Sequence, residues 1–133
     1  MKKLFRRIVT GIDKAGKAIF ESDDIPPVVY TMEEWPEFNN VELWQTVQQT
    51  PCLFDEYSAN KSYDFNIPPG MARFCTVRLP PLKKLLAYQK SKGNEVDLKT
   101  FGMHSTHSVD FVIILEGEVT LFLTKSIKRV MRG

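Results

Sequence analysis

Both histidines of the chain lie close to a carboxylate in one short segment, Gly102-Met103-His104-Ser105-Thr106-His107-Ser108-Val109-Asp110. Imidazole and carboxylate groups serve enzymes as general acids and bases, and both are common metal ligands. If the segment is one extended strand, successive side chains point to opposite faces. One face then carries His104, Thr106, Ser108 and Asp110. This face becomes apolar further along the strand, which is typical of a barrel interior with a polar ligand site above a packed end.

His104 has three possible roles: a metal ligand, a general base, or a hydrogen-bonded structural residue. Divalent metals normally take three or four protein ligands, and this face offers His104 and Asp110, with Thr106 a poor third. In a straight strand His104 and Asp110 are about 20 Å apart, at about 3.3 Å per residue. They form an acid–base pair only if the strand bends. We predict His104 and Asp110 as catalytic residues and candidate metal ligands, and Thr106 as a substrate-binding residue.

His107 lies on the opposite face of the predicted strand and is expected outside the site. A bulge near Ser105 would exchange the two faces and bring His107 inward. Two residues from earlier in the chain complete the candidate site. Arg73 either presents its guanidinium to an anionic ligand or forms a surface salt bridge, and Trp44 either packs in the core or stacks on a flat substrate. Both are predicted as substrate-binding residues.

The elements that must position these residues are short strands separated by turn signals. Strands are predicted near residues 5–12, 17–21, 28–30, 41–47, 72–79, 103–115 and 118–123. The turn Asp13-Lys14-Ala15-Gly16 closes a first hairpin, and Glu116-Gly117 closes the strongest one. Residues 33–40 are predicted to form an irregular acidic loop and residues 82–89 two helical turns. This spacing of strands and turns favours an all-β barrel or sandwich.

Composition and charge exclude several classes of protein. The 133 residues, 43% hydrophobic and 26% charged, fit one globular domain. The longest apolar run, Phe111 to Leu115, is too short to span a membrane. The net charge of +2 hides basic ends and an acidic stretch from Glu21 to Glu56 that contains no Lys or Arg. Basic ends without interleaved aromatic residues are more typical of internal charge pairing than of a nucleic-acid platform, so neither a membrane nor a nucleic acid is expected as a partner.

The segment around the histidines resembles the cupin family. The first cupin signature is G-x5-H-x-H-x3-4-E-x6-G, and its last glycine matches Gly117. The acidic position then falls on Asp110, and the two histidine positions fall on Thr106 and His104. The stretch MHSTHSVDFVIILEGEVTLFL is similar to a subgroup of small cupins, as are RRIVTGIDKAGKAIFESDDIPP and PPGMARFCTVRLPP further upstream. The resemblance runs over most of residues 6–123.

The chain also departs from the cupin pattern. Thr106 and Asp110 replace two metal ligands, and the opening glycine position falls on Leu98. The second cupin motif, which supplies a further histidine, is absent. We therefore expect a cupin-type, jelly-roll-like β-barrel that is incomplete at its C-terminus, either because the gene product is truncated or because another subunit completes the barrel.

The resemblance implies a single cupin-like domain over residues 1–133. Its predicted parts are N-terminal strands over 1–21, a barrel core over 41–123 and a basic tail over 124–133. The implied function is that of a tailoring oxidoreductase acting on a polyketide-type small molecule in secondary metabolism. The alternatives are an acid–base lyase or isomerase, and a non-catalytic small-molecule-binding or inactive truncated cupin. The cofactor is unknown, and a divalent metal is compatible only with an incomplete ligand set.

Localisation and assembly follow from simpler observations. The apolar start of the chain is interrupted by Arg6 and Arg7, so a secretory signal is not expected. Two cysteines without metal-ligand spacing favour reduced thiols in the cytoplasm. An incomplete barrel leaves the last predicted strand with an open edge. We therefore expect a homodimer, or alternatively aggregation, with Phe122 and Leu123 at the contact.

Overall fold

The computed structural model describes residues 5–46, 64–123 and 128–133. The chain divides into two compact units, Met1–Lys92 and Gly93–Gly133. Within the described residues the strands form three antiparallel sheets, accompanied by one short helix. The prediction of an all-β protein is confirmed at this level. The described strands form sheets of two, three and two strands rather than a closed barrel, and the single-domain prediction stays a prediction.

The first sheet is the hairpin expected near residues 5–21. Strand β1 (Arg7–Ile12) pairs with β2 (Ala18–Asp24), and a register shift lies between Val9 and Thr10. The turn forms because the Asp13 carboxylate accepts hydrogen bonds from the backbone N–H groups of Ala15 and Lys17. This hairpin is therefore specified by local residues, as the sequence predicted.

The second sheet is the core of the first unit. It has the order β3 (Val28–Met32), β4 (Trp35–Gln45), β5 (Arg73–Arg78). The central strand β4 has both faces covered at its middle, since every residue from Phe38 to Glu42 is buried. Val41 is completely buried, and it lies opposite Val29 on one neighbour and Thr76 on the other.

The prediction of an irregular loop over residues 33–40 is wrong, because β4 already begins at Trp35. Proline lacks a backbone donor and is tolerated at a strand end or irregularity. Pro36 occupies such a place, since the β3–β4 register shifts at Met32, which pairs with Trp35. The strand predicted over residues 41–47 contains a register shift between Glu42 and Trp44. Val47 lies outside the described residues.

The predicted helical turns form helix α1 (Leu82–Ser91), which begins directly after Pro81. The helix packs against β4. Leu85 is 1% exposed, and the Gln89 side-chain amide donates a hydrogen bond to the carbonyl of Glu34. These two residues attach the helix to the start of β4. No helix among the described residues is long and apolar enough to cross a membrane.

The second unit contains one two-stranded sheet, in which β6 (Glu118–Phe122) pairs with β7 (Lys128–Arg132). The prediction of a strand over residues 103–115 paired with 118–123 is wrong: residues 103–115 lie in no strand. Among the described residues, β6 pairs with β7 instead. Glu118 lies opposite Arg132 and forms an ion pair with it, and opposite charges across strands favour a register. The predicted basic tail thus supplies the strand that pairs with β6.

Candidate functional site

The structure distributes the predicted site residues over both units. His104, Thr106 and Asp110 lie in the second unit, in the segment that forms no strand, and all three are exposed. Arg73 lies on β5 and Trp44 on β4, both in the first unit. The geometry of each group can therefore be described separately.

The His104 ring is oriented by a local hydrogen bond. Its Nδ1 atom is 2.8 Å from the carbonyl oxygen of Gly102. A carbonyl oxygen can only accept, so Nδ1 carries the proton in this contact. In the neutral imidazole the other nitrogen, Nε2, is then the acceptor. The arrangement leaves Nε2 as the atom of His104 that can take up a proton or bind a ligand.

The side chains that follow at every second position form a hydrogen-bonded series. Thr106 Oγ1 is 2.8 Å from Ser108 Oγ, and Ser108 Oγ is 3.0 Å from Asp110 Oδ1. An ionised carboxylate cannot donate, so Ser108 donates its only proton to Asp110. Thr106 must then donate to Ser108. The series therefore runs in one direction, from Thr106 through Ser108 to Asp110, and these three side chains lie on one side of the segment.

Ser108 is the residue of this series to which the sequence assigned no role. Its position at the same parity as Thr106 and Asp110 was visible, but hydroxyl groups are too common in loops for parity alone to indicate a function. His107 is exposed, like His104. Exposure therefore does not distinguish His104 from His107. The hydrogen bond that orients the ring of His104 is the feature that singles out this residue. The assignment of His104, Thr106 and Asp110 to one pocket stays a prediction.

Arg73 takes part in a nearly buried ion pair rather than a surface one. Its Nε is 3.0 Å from Glu42 Oε2, and the two side chains are only 7% and 9% exposed. The guanidinium also donates to Gln45 Oε1, at 3.0 and 2.7 Å, and to the carbonyl of Asp64. Most of its donors are thus engaged within the protein. These contacts favour a structural role, and substrate binding by Arg73 stays a prediction.

Glu42 is a buried acidic residue to which the sequence analysis assigned no role. It lies opposite Cys75, and a single pair separates it from the next pair on that face, Gln45 opposite Arg73. Directly opposed residues share a face of the sheet, so these side chains form one polar cluster. A single acidic residue in the otherwise apolar run Val41-Glu42-Leu43-Trp44 was the available signal. Burial of a carboxylate requires a partner, but the sequence did not say which cation supplies it.

Trp44 and Cys75 complete the description of this sheet. The Arg7 guanidinium lies 6.0 Å from the centre of a Trp44 ring, and Arg7 also donates to the Leu43 carbonyl at 3.0 Å. A cation thus already lies near the indole. Burial raises the pKa of the Cys75 thiol from 9.0 to about 11. A thiol with a raised pKa is a poor nucleophile near neutral pH.

The described residues contain no group of three or more His, Cys, Asp and Glu side chains that could hold a metal ion. His104 Nε2 and the Asp110 carboxylate are chemically suitable donors, but two ligands are fewer than a divalent metal normally takes from a protein. The donor set described here therefore does not fit a complete metal centre, and a metal site at His104 and Asp110 stays a prediction.

No family model, curated protein or solved structure matches the chain. The resemblance to cupins rests on the residues of the motif alone.

Proposed function

We propose that the chain is a cupin-type tailoring enzyme that acts on a polyketide-type small molecule. The observation that carries this proposal is the geometry of the segment from Gly102 to Asp110. It combines an imidazole whose Nε2 is an acceptor with a hydroxyl series that ends on a carboxylate. The reaction class implied by the resemblance is oxidoreduction in secondary metabolism, and the location that we propose is the cytoplasm.

The side chains themselves are suited to proton transfer. Polyketide-type molecules carry phenolic O–H groups and acidic C–H groups between carbonyls, both of which lose a proton to a base. Nε2 of His104 is the base. The hydroxyl of Thr106 has lone pairs left after it donates to Ser108, so it accepts a hydrogen bond from a substrate hydroxyl. An oxidoreductase would use the same groups and an electron acceptor in addition, whereas a lyase or isomerase would need only the proton transfer.

The test uses a panel of phenolic and 1,3-dicarbonyl compounds incubated with the full chain. Turnover is followed by mass spectrometry of the products, and binding by NMR of protein with ¹⁵N-labelled histidine. We expect product formation, and we expect one of the two imidazole signals to shift on binding. His104→Ala should abolish turnover and His107→Ala should retain it. If His107→Ala is the inactive variant and His104→Ala is active, the assignment of the base is wrong.

A non-catalytic binding module is the second candidate, and one observation favours it. Every described residue from Phe101 to Ile113 is exposed, whereas catalytic groups are most effective where water is excluded. A binding module would shift the imidazole signal without forming product. The same experiment therefore separates the two functions.

We also propose that the chain forms a homodimer, which would cover part of this exposed segment.

A further inference from the structure

Among the described residues of the second unit, the apolar end of the candidate segment is the most exposed hydrophobic surface. Phe111 is 93% exposed, Val109 83%, and Ile113 and Leu115 80% each. The stretch from Val109 to Leu115 contains no helix, turn or bend, and it pairs with no described strand. Its backbone N–H and C=O groups are therefore not part of any described ladder.

Such a stretch has the properties of an open strand edge. Val, Ile and Phe favour strands, and an exposed apolar edge tends to recruit another chain. Five apolar side chains of this stretch are each more than half exposed. A standard protein–protein interface buries about 800 Å² on each partner, and pairing of this stretch would supply part of that area.

We infer that Val109–Leu115 pairs with the same stretch of a second copy, as antiparallel strands related by a two-fold axis at Val112. The charges at its ends exclude competing arrangements, and an axis at Val112, the midpoint of the stretch, pairs the whole stretch with itself. An antiparallel pair centred on Ile113 would place Asp110 opposite the partner's Glu116, and a parallel pair in register would place Asp110 opposite itself. Like charges directly opposed are destabilising. An axis at Val112 places Asp110 opposite Ile114 instead.

The same axis gives favourable apolar pairs. Val109 lies opposite the partner's Leu115, and Phe111 lies opposite the partner's Ile113. Each of these pairs occurs twice because of the symmetry. An aromatic residue opposite a β-branched one is among the stabilising cross-strand combinations. The stretch is thus complementary to itself in this register, which is why a second copy is the expected partner.

The position of Gly133 indicates which edge of the stretch is available for pairing. A Cβ atom added to Gly133 would overlap the carbonyl oxygen of Ile114, so the two backbones are in close contact. Gly133 also donates from its backbone N–H to the carbonyl of Gly117, at 3.2 Å. In an extended strand, alternate residues direct their backbone groups to opposite edges. The edge that carries Ile114 is therefore obstructed, and the edge that carries Phe111 and Ile113 is the one available for pairing.

The first test is a disulfide across the proposed axis, formed by Val112→Cys in the full chain. Residues directly opposite in a non-hydrogen-bonded antiparallel pair are about 4.5 Å apart at Cα, within the range of a disulfide. The matched control is Ile114→Cys, whose two copies would be about 13 Å apart. We expect a covalent dimer on a non-reducing gel for Val112→Cys and little for Ile114→Cys. Cross-linking of Ile114→Cys instead would overturn the register.

The second test measures the dimer by sedimentation equilibrium. Ile113→Asp and Phe111→Lys should each raise the dissociation constant at least about 30-fold, since each places two unpaired charges in the contact. The double variant Phe111→Lys/Ile113→Asp should recover the dimer, because the introduced lysine then lies opposite the partner's introduced aspartate. These side chains are exposed in the single chain, so circular dichroism should show an unchanged fold.

Phe122→Asp is the control on β6, where the sequence alone pointed to the dimer contact. It should leave the dissociation constant within about threefold, since the contact is placed on Val109–Leu115. A monomer of the unsubstituted chain at high concentration would overturn the inference. So would growth into larger assemblies, a loss of the dimer in Phe122→Asp alone, or a double variant that remains monomeric.

Discussion

Removal of the Arg73 guanidinium tests the reasoning about the core of the first unit. Arg73→Ala would leave the Glu42 carboxylate, whose side chain is 9% exposed, without the cation at 3.0 Å. It would also remove the donor from Gln45 Oε1 and from the Asp64 carbonyl. Breaking a buried ion pair by deleting one partner typically costs about 3–5 kcal/mol, because the remaining charge is buried and uncompensated. We therefore expect the free energy of unfolding to fall by about that amount.

Arg6→Ala provides the matched control. Arg6 donates from Nε and Nη2 to the Asp23 carboxylate at 2.6 and 2.5 Å, so it also forms a two-point contact with an acid. Its side chain is 65% exposed and that of Asp23 is 43% exposed. Exposed pairs contribute about 0–1 kcal/mol. The same substitution should therefore cost several kcal/mol at Arg73 and far less at Arg6, where water and salt screen the pair.

Urea unfolding of both variants, analysed by linear extrapolation, measures the difference. A cost of about 3 kcal/mol would lower the midpoint by roughly 1–3 M at typical slopes of 1–3 kcal/mol/M. Adding Glu42→Gln to Arg73→Ala removes the uncompensated charge and should restore part of the loss. Equal costs at Arg73 and Arg6, or no recovery in the double variant, would refute the assignment of a buried charge pair to this sheet.

Three further substitutions or conditions probe other parts of the chain. Leu85→Ala should cost about 2–5 kcal/mol because Leu85 is 1% exposed, whereas Leu82→Ala, at 48% exposed, should cost far less in the same urea titration. Since burial raises the pKa of Cys75 from 9.0 to about 11, the folded state holds this proton more tightly than the unfolded state. Its contribution to stability should be fully present below pH 9 and be lost between pH 9 and 11, a loss that Cys75→Ser should reduce in thermal melts. Gly117 has φ 84°, a conformation that a Cβ disfavours. Gly117→Ala should therefore lower the free energy of unfolding by about 1 kcal/mol, which would be measured as a lower melting temperature.

The first hairpin, the fifth strand and the helix could be predicted because their signals are local. The Asp13 turn needs only its own carboxylate and the next few N–H groups. Strand β5 is an apolar and β-branched run that Pro80 ends, and α1 begins directly after Pro81. Each of these elements is specified by residues within a few positions, so no knowledge of the remaining chain was required.

The extent of β4 and the partner of β6 could not be predicted, because both depend on residues far apart in sequence. Pro36 and its acidic neighbours are typical of a loop, yet pairing with β3 and burial of Phe38 make them part of a strand. Residues 103–115 have the composition of a strand, but β6 pairs with β7, where Arg132 meets Glu118. Tertiary context overrides propensity most readily in strands, because a strand is stabilised by its neighbours.

The candidate site shows the same division. Parity along the chain placed Thr106, Ser108 and Asp110 at alternate positions, and the structure adds the hydrogen bonds that join them. Only the structure showed that Arg73 pairs with Glu42 beneath the surface. That contact depends on the register between β4 and β5, and a one-residue change in register would direct the two side chains to different faces. The sequence determined which residue types were available, and the pairing of the strands decided which of them meet.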